Sequence, residues 1–258
     1  MKFGFCSQIA TAEHFFPSFA NFIEANAMEA HDMNANGLKN AQRILRDKGL
    51  QPYSASCLFP ASMRLTGEDV DFAKIQEYCA RLCDNLSQLG VQIIVFGSGK
   101  AKHVPDGFSK QRAMEQLYEL GRILSDEAAK HNQTIAVEAL SFNEVNILNT
   151  IKETASYVRT VNRDNYKLMV DIYHHDNNQE PFSDLDAAKD LLVHAHFAAP
   201  KTRSIPKSEA DWLFLDRYVR YLQKIGYTGN FTFEGEWSSE DELSAMYQRL
   251  KNTYPSDL

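Results

Sequence analysis

The 258-residue chain is 44% hydrophobic and 24% charged, an ordinary globular composition with enough length to bury a substantial core. Its net charge of -7 and pI near 5.6 lack the basic footprint of a nucleic-acid-binding protein. No apolar run reaches the length of a membrane span, and the opening segment lacks a signal peptide's apolar core and cleavage site, so a cytoplasmic protein with no membrane partner is expected.

In chain order, β-rich runs are predicted at residues 2–7, 27–33, 51–58, 92–97, 134–140, 167–172, 191–197 and 230–237. Amphipathic helical runs with a period near 3.6 separate them. Between the third and fourth strands, Phe72, Ile75, Cys79, Leu82, Leu86 and Leu89 keep to one side and Gly90 supplies the stop. Between the fourth and fifth, Met114, Leu117, Leu120, Leu124 and Ala128 form the stripe, and Gly49 and Gly226 end two other helices. The run Ile93-Ile94-Val95-Phe96 is apolar at successive positions, as expected of a parallel strand buried on both faces. Repeated βα units imply parallel strands, and eight of them at about 250 residues match a closed (β/α)8 TIM barrel, one domain over residues 1–258. An open doubly wound sheet is the runner-up, disfavoured because no GxGxxG follows the first strand.

The four cysteines make no pair of CxxC motifs. Cys79 and Cys83 share a helix face, and all four, with Cys6 and Cys57, read as buried thiols in a reducing compartment.

In this architecture the ends of the strands converge on one cavity. Four late strands carry ionisable groups there: Glu138, Asp171, His196 and Glu234. A lone acid at such a place reads most simply as a helix cap or a surface group, but four in successive strands point to one centre. Three carboxylates and an imidazole form a mixed oxygen and nitrogen donor set for one divalent metal, manganese first, with magnesium, cobalt or zinc as alternatives. Without a cation the three carboxylates would repel one another.

These residues carry a resemblance to the xylose-isomerase-like barrel superfamily, in its sugar phosphate isomerase/epimerase branch, which includes ketose 3-epimerases. Val95-Phe96-Gly97-Ser98-Gly99 with Pro105-Asp106-Gly107 resembles that family's fourth-strand loop. Glu138 followed by Glu144, Asn146, Asn149 and Thr150 resembles its fifth-strand signature. Asp171-Ile172-Tyr173-His174 is similar to its DxxH, His194-Ala195-His196 to its HxH, and Gly226-Tyr227-Thr228-Gly229 to the GYxG that leads to the last ligand, Glu234. The resemblance implies metal ligation by Glu138, Asp171, His196 and Glu234, with Glu138 and Glu234 also moving the proton. It places Glu144 and His174 at the substrate. Arg203 follows the metal histidine by seven residues where the family often has six, but Arg203-Ser204-Ile205-Pro206 keeps the RxxP spacing, so it too is assigned to the substrate. Ala199 stands where the family often has aspartate.

The implied chemistry is metal-dependent epimerisation or isomerisation of a small ketose or related polyol ketone. One carboxylate removes a carbon-bound proton to give an enediolate, and an acid on the opposite face returns one. A keto-inositol dehydratase could use the same ligands. An endonuclease-IV-like DNA-repair enzyme would need further histidines on strands two to four and a DxH motif after the metal histidine; strands three and four have no histidine and the segment after His196 has no DxH. A non-catalytic sugar-binding protein would need no pair of proton-transfer acids. The expected partner is a small sugar or polyol, with no nucleic acid, and a homo-oligomer is compatible.

Other polar residues read more blandly. His194 is expected to point away from His196 in a core or supporting role, and His175 to lie in a loop. Glu29 and His31 would share a face of strand two, either lining the pocket or making structural hydrogen bonds. Lys100 and Lys102 are expected to be solvated rather than to meet a phosphate. Phe59 and Trp237 read as core more readily than as pocket walls.

Overall fold

The computed structural model describes residues 1–17 and 19–255; Ser18 and the last three residues of the expected domain fall outside this range. The first half of the chain runs β1 (Phe3–Ser7), α1 (Ile9–Ala12), β2 (Phe22–Asn26), α2 (Ala27–Asp32), α3 (Ala35–Lys48), β3 (Pro52–Ser56), α4 (Phe72–Leu89), β4 (Ile93–Phe96), α5 (Gly99–Lys102) and α6 (Lys110–Ala129). The second half runs β5 (Thr134–Glu138), α7 (Ile151–Val161), β6 (Tyr166–Asp171), α8 (Ile172–Asn177), α9 (Phe182–Ala187), β7 (Leu192–Phe197), α10 (Glu209–Lys224), β8 (Asn230–Phe233) and α11 (Glu240–Thr253). Each strand pairs in parallel with the next, and β1 returns to β8 with Gly4 opposite Thr232, closing the expected eight-stranded barrel as one domain.

The helices start and stop where local chemistry satisfies their orphan backbone groups. Asp71 caps α4 by accepting from the Lys74 amide, and Gly90 ends it in the left-handed region at φ 91°. Ser208 and Asp211 form a reciprocal capping box on α10. The apolar stripes of α4 and α6 pack against the outside of the strands in the large core. A separate small cluster, Ile93, Val95, Ala136 and Met169, belongs to the alternate, inward-facing positions of β4 to β6.

The second strand is not where the sequence pattern put it. Residues 27–33 are mostly the helix α2, and the strand is Phe22–Asn26. Asn26 caps that helix by accepting from the Glu29 amide, an Asn-x-x-Glu pattern that marks a helix start. Glu29 and His31 therefore do not line the barrel. Glu29 accepts from the Ile9 and Ala10 amides at 2.8 and 3.1 Å, while His31 stacks on Tyr78 and lies 2.8 Å from Asp32, so both are structural.

Candidate metal centre and active site

Period-2 alternation sends Glu138, Asp171 and His196 inward from the ends of β5, β6 and β7, two residues beyond Ala136, Met169 and His194. Glu234 directly follows β8. One donor atom from each of the four lies within 4.8 Å of the other three. His196 Nδ1 is 3.2 Å from Glu234 Oε2 and 3.7 Å from Glu138 Oε1. Asp171 divides its oxygens, since Oδ1 caps α8 through the Tyr173 amide at 2.9 Å and Oδ2 faces the cluster.

Buried Glu138 Oε1 has no hydrogen-bond partner. Leaving a charged acceptor so costs several times an ordinary hydrogen bond's net worth, and a cation beside it would remove that cost. The opposite edge of this carboxylate needs the space beside Gly97, because a Cβ there would stand 2.2 Å from Glu138 Oε2. The donor set thus fits a divalent cation held by one imidazole and up to three carboxylates.

Arg203 reaches the same cluster from the segment after β7. Its Nη2 donates to Glu234 Oε2 at 2.7 Å and lies 3.4 Å from Asp171 Oδ2, while Nη1 donates to Glu144 Oε1 at 3.3 Å. The backbone at Arg203 is left-handed at φ 48°, and its carbonyl accepts from the Glu236 amide at 2.8 Å. Gly235 makes this approach feasible, since a Cβ there would meet the Arg203 carbonyl oxygen at 2.6 Å. Burial opposes the guanidinium charge, but Glu234, Asp171, Glu138 and Glu144 hold it firmly protonated. Burial likewise raises the Glu234 carboxyl, yet His196 and Arg203 bring it down to about 2. Ala199 supplies only backbone to this segment, through Ser204 and Arg203.

His174 lies on α8 and is buried. Its Nδ1 is 2.7 Å from Ser141 Oγ and 3.7 Å from Glu144 Oε1, and its Nε2 is 3.5 Å from Asp171 Oδ2 with no hydrogen-bond partner. The remaining residues of the fifth-strand signature shape the loop rather than the centre. Asn146 brackets the Val104 backbone, Asn149 donates to the Leu140 and Val145 carbonyls, and Thr150 caps α7.

Beneath the centre lies a buried polar layer that the sequence pattern did not reveal. Glu24 of β2 accepts from Ser54 Oγ at 2.6 Å and pairs with His194 Nε2 at 2.7 Å, both through Oε2. Its Oε1 lies 3.4 Å from Cys6 Sγ and 2.8 Å from His196 Nε2, the latter outside good hydrogen-bond alignment. Burial raises the Glu24 carboxyl, but His196 and His194 together hold it well below the usual range. His194 therefore shares the inward face with His196 at a ring separation of 5.2 Å, because residues two apart on a strand point the same way. Its supporting role stands; its expected direction was wrong.

Three other expectations are corrected. Lys102 is fully buried and donates to the Glu138 carbonyl at 3.2 Å; burial lowers its ammonium to about 8 against the pull of Glu138, Glu153 and Glu144. Lys100 is exposed, as expected. His175 is not in a loop but buried in α8 against the Tyr218 hydroxyl at 2.8 Å. Cys79 and Cys83 are buried, whereas Cys6 is half-buried and Cys57 is exposed at the mouth of the barrel.

A pocket of about 370 Å³ opens on the cluster. Glu138, Glu144, Arg203 and Glu234 are among its lining residues, together with Met28, Phe59 and Leu140. Phe59 is thus a wall as well as a core residue, whereas Trp237, expected in the core, is exposed, with its ring resting on Phe5 and Phe15. Among the described residues, no helix is long and apolar enough to cross a membrane.

The profile of the xylose isomerase-like TIM barrel family matches residues 14–253. Among curated proteins, a ketose 3-epimerase of Arthrobacter globiformis is 25% identical over 223 residues, covering 84% of this chain and 75% of the relative. A D-psicose 3-epimerase of Agrobacterium fabrum is 29% identical over 221 residues, covering 83% and 74%. Among solved structures, a D-allulose 3-epimerase from Methylomonas sp. in complex with D-allulose superposes with a TM-score of 0.83 at 20% identity, covering 98% of this chain and 96% of that one. The IOLI protein with a bound zinc atom superposes with a TM-score of 0.70 at 18% identity, covering 98% and 96%. The relatives found by sequence are named as epimerases, which are isomerases.

Proposed function

The chain belongs to the xylose isomerase-like TIM barrel family, and on that premise we propose that it is a divalent-metal-dependent epimerase of small ketoses. The observation that carries this reading is the convergence of Glu138, Asp171, His196 and Glu234 at one point, with Glu138 and Glu234 lining an open pocket. A divalent cation bound there would draw electron density from adjacent sugar oxygens and ease loss of a carbon-bound proton.

The chain's own residues supply the rest. Each glutamate has two oxygens, so Glu138 and Glu234 can hold the cation through one and face the reacting carbon with the other. One of the two carboxylates takes the proton from one face, leaving an enediolate, and the other, after taking up a proton from water, returns it to the opposite face; the first then releases its proton to water, and the reverse reaction exchanges the roles. Arg203 and Glu144, already joined at 3.3 Å, present a cation and an acceptor to sugar hydroxyls. The oxygen-rich donor set favours manganese over softer metals.

The test is incubation of metal-loaded protein with ketoses, keto-inositols and their phosphates in deuterated water. Exchange at a single carbon next to the ketone, with inverted product and no loss of water, is the expected result. Loss of water would make the protein a dehydratase, and no exchange with any ketose at saturating metal would refute the reading. Glu234→Gln should bind metal and lose about 100- to 10,000-fold in exchange, since an amide cannot carry the proton.

A further inference from the structure

We infer that Glu24 is the positioning residue that orients His196 toward the metal, with Nδ1 as the ligand atom and Nε2–H directed at the carboxylate. This inference rests on the metal assignment above and adds a residue outside the four donors and outside the pocket lining.

Of the two ring nitrogens of His196, Nδ1 faces Glu234 and Glu138, whereas Nε2 faces Glu24 Oε1 at 2.8 Å. An imidazole between a cation and a carboxylate binds the cation through its lone pair and donates its remaining N–H to the acid, which selects the tautomer and stops ring rotation. Glu24 can hold this place because its other oxygen is anchored by Ser54 and His194, and both partners are fully buried. Thr232 Oγ1, 3.2 Å from His194 Nε2, closes the layer from β8. The carboxylate is therefore fixed from β3, β7 and β8 and cannot follow a rotating His196. Nε2 and Oε1 already stand within hydrogen-bond distance, and ligation through Nδ1 would leave Nε2 as the nitrogen that carries the proton.

Cys6, Glu24 and His196 also bring one donor atom each within 4.8 Å of one another, so a metal between these three is the competing arrangement. It would take His196 through Nε2 and would include a thiolate. Cobalt(II) distinguishes the two, because a thiolate ligand adds an intense charge-transfer band that oxygen and imidazole ligands do not.

The experiment titrates Co²⁺ and Mn²⁺ into the full-length protein and into Glu24→Gln, by calorimetry and by cobalt absorption. The variant keeps the shape of the side chain and removes its charge. Expected is one equivalent of Co²⁺ without a thiolate band in the wild type, and affinity about 10- to 100-fold weaker in the variant with an altered cobalt spectrum. Unchanged affinity and spectrum in a folded variant would overturn the proposal. A thiolate band in the wild type that disappears in Cys6→Ser would overturn it as well, placing the metal on the other side of His196. Should Glu24→Gln not fold, ¹⁵N histidine shifts of the Zn²⁺-loaded wild type decide: His196 bound through Nδ1 with a protonated Nε2 supports the proposal, and binding through Nε2 refutes it. Absence of any metal binding by the wild type would instead refute the assignment on which the proposal rests.

Discussion

Arg203 Nη2 and Glu234 Oε2 stand 2.7 Å apart, so the guanidinium competes for the carboxylate oxygen that also faces His196. A dication arriving at the cluster meets this positive charge at close range. Arg203→Met should therefore bind Mn²⁺ several-fold more tightly, about 1 kcal/mol after solvent screening, while turnover falls about a hundredfold for want of the substrate contact. Calorimetry and steady-state kinetics check both halves. Weaker metal binding in the variant would mean that Arg203 supports the donor set instead of opposing the ion.

Gly97 tests the placement of Glu138. Its backbone is not in the left-handed region, so alanine is conformationally tolerated, but the new methyl would stand 2.2 Å from Glu138 Oε2. The carboxylate, as the movable partner, should swing away. Gly97→Ala is expected to keep its melting temperature within a few degrees and to lose metal affinity by about tenfold or more, on the scale seen when a ligand's surroundings are disturbed. Wild-type affinity would show that Glu138 does not need its present position to bind.

His174 lies near Glu144 and Asp171 without contributing to the donor set. We expect His174→Ala to retain metal and lose about a hundredfold to a thousandfold in kcat, the range for a preorganised donor to developing negative charge. A fall in metal affinity instead would make His174 a support for Asp171, whose Oδ2 is 3.5 Å away.

Glu180 sets a pH dependence remote from the centre. It accepts from the Ile151 amide at 2.6 Å, and burial, helped by Asp184 and Glu153, raises its carboxyl from 4.5 to about 7. Between these values the folded chain holds a proton that the unfolded chain releases, so this group makes stability decline as pH rises through that window. Glu180→Gln, which keeps an acceptor for Ile151, should remove the decline. Urea midpoints at constant metal should coincide for variant and wild type near about pH 4.5 and favour the variant near about pH 8. Parallel curves across the window would refute this.

Much of the architecture and of the centre is legible in the residues themselves. Period-3.6 stripes located α4, with its glycine stop, and α6, and doubly apolar runs such as Ile93–Phe96 located buried parallel strands. Ionisable groups at strand ends stand out because a parallel strand is otherwise apolar, which is why Glu138, Asp171, His196 and Glu234 were visible together. The second strand was misplaced because Phe22–Asn26 and the helical Ala27–Asp32 form one continuous weakly polar stretch, and the Asn26 cap that divides them is a single side-chain contact. Glu24 was lost with that shift.

What only the tertiary structure decided are contacts across the barrel between residues far apart in the chain. Glu24 and His194 are 170 positions apart, and Lys102 reads as a surface lysine until the turn after β4 places it under the Glu138 carbonyl. Local pattern reports which face of a strand or helix a side chain occupies. Closure of eight strands determines which inward-facing groups meet, and burial then makes each unpaired charge costly enough that its partner becomes part of the site.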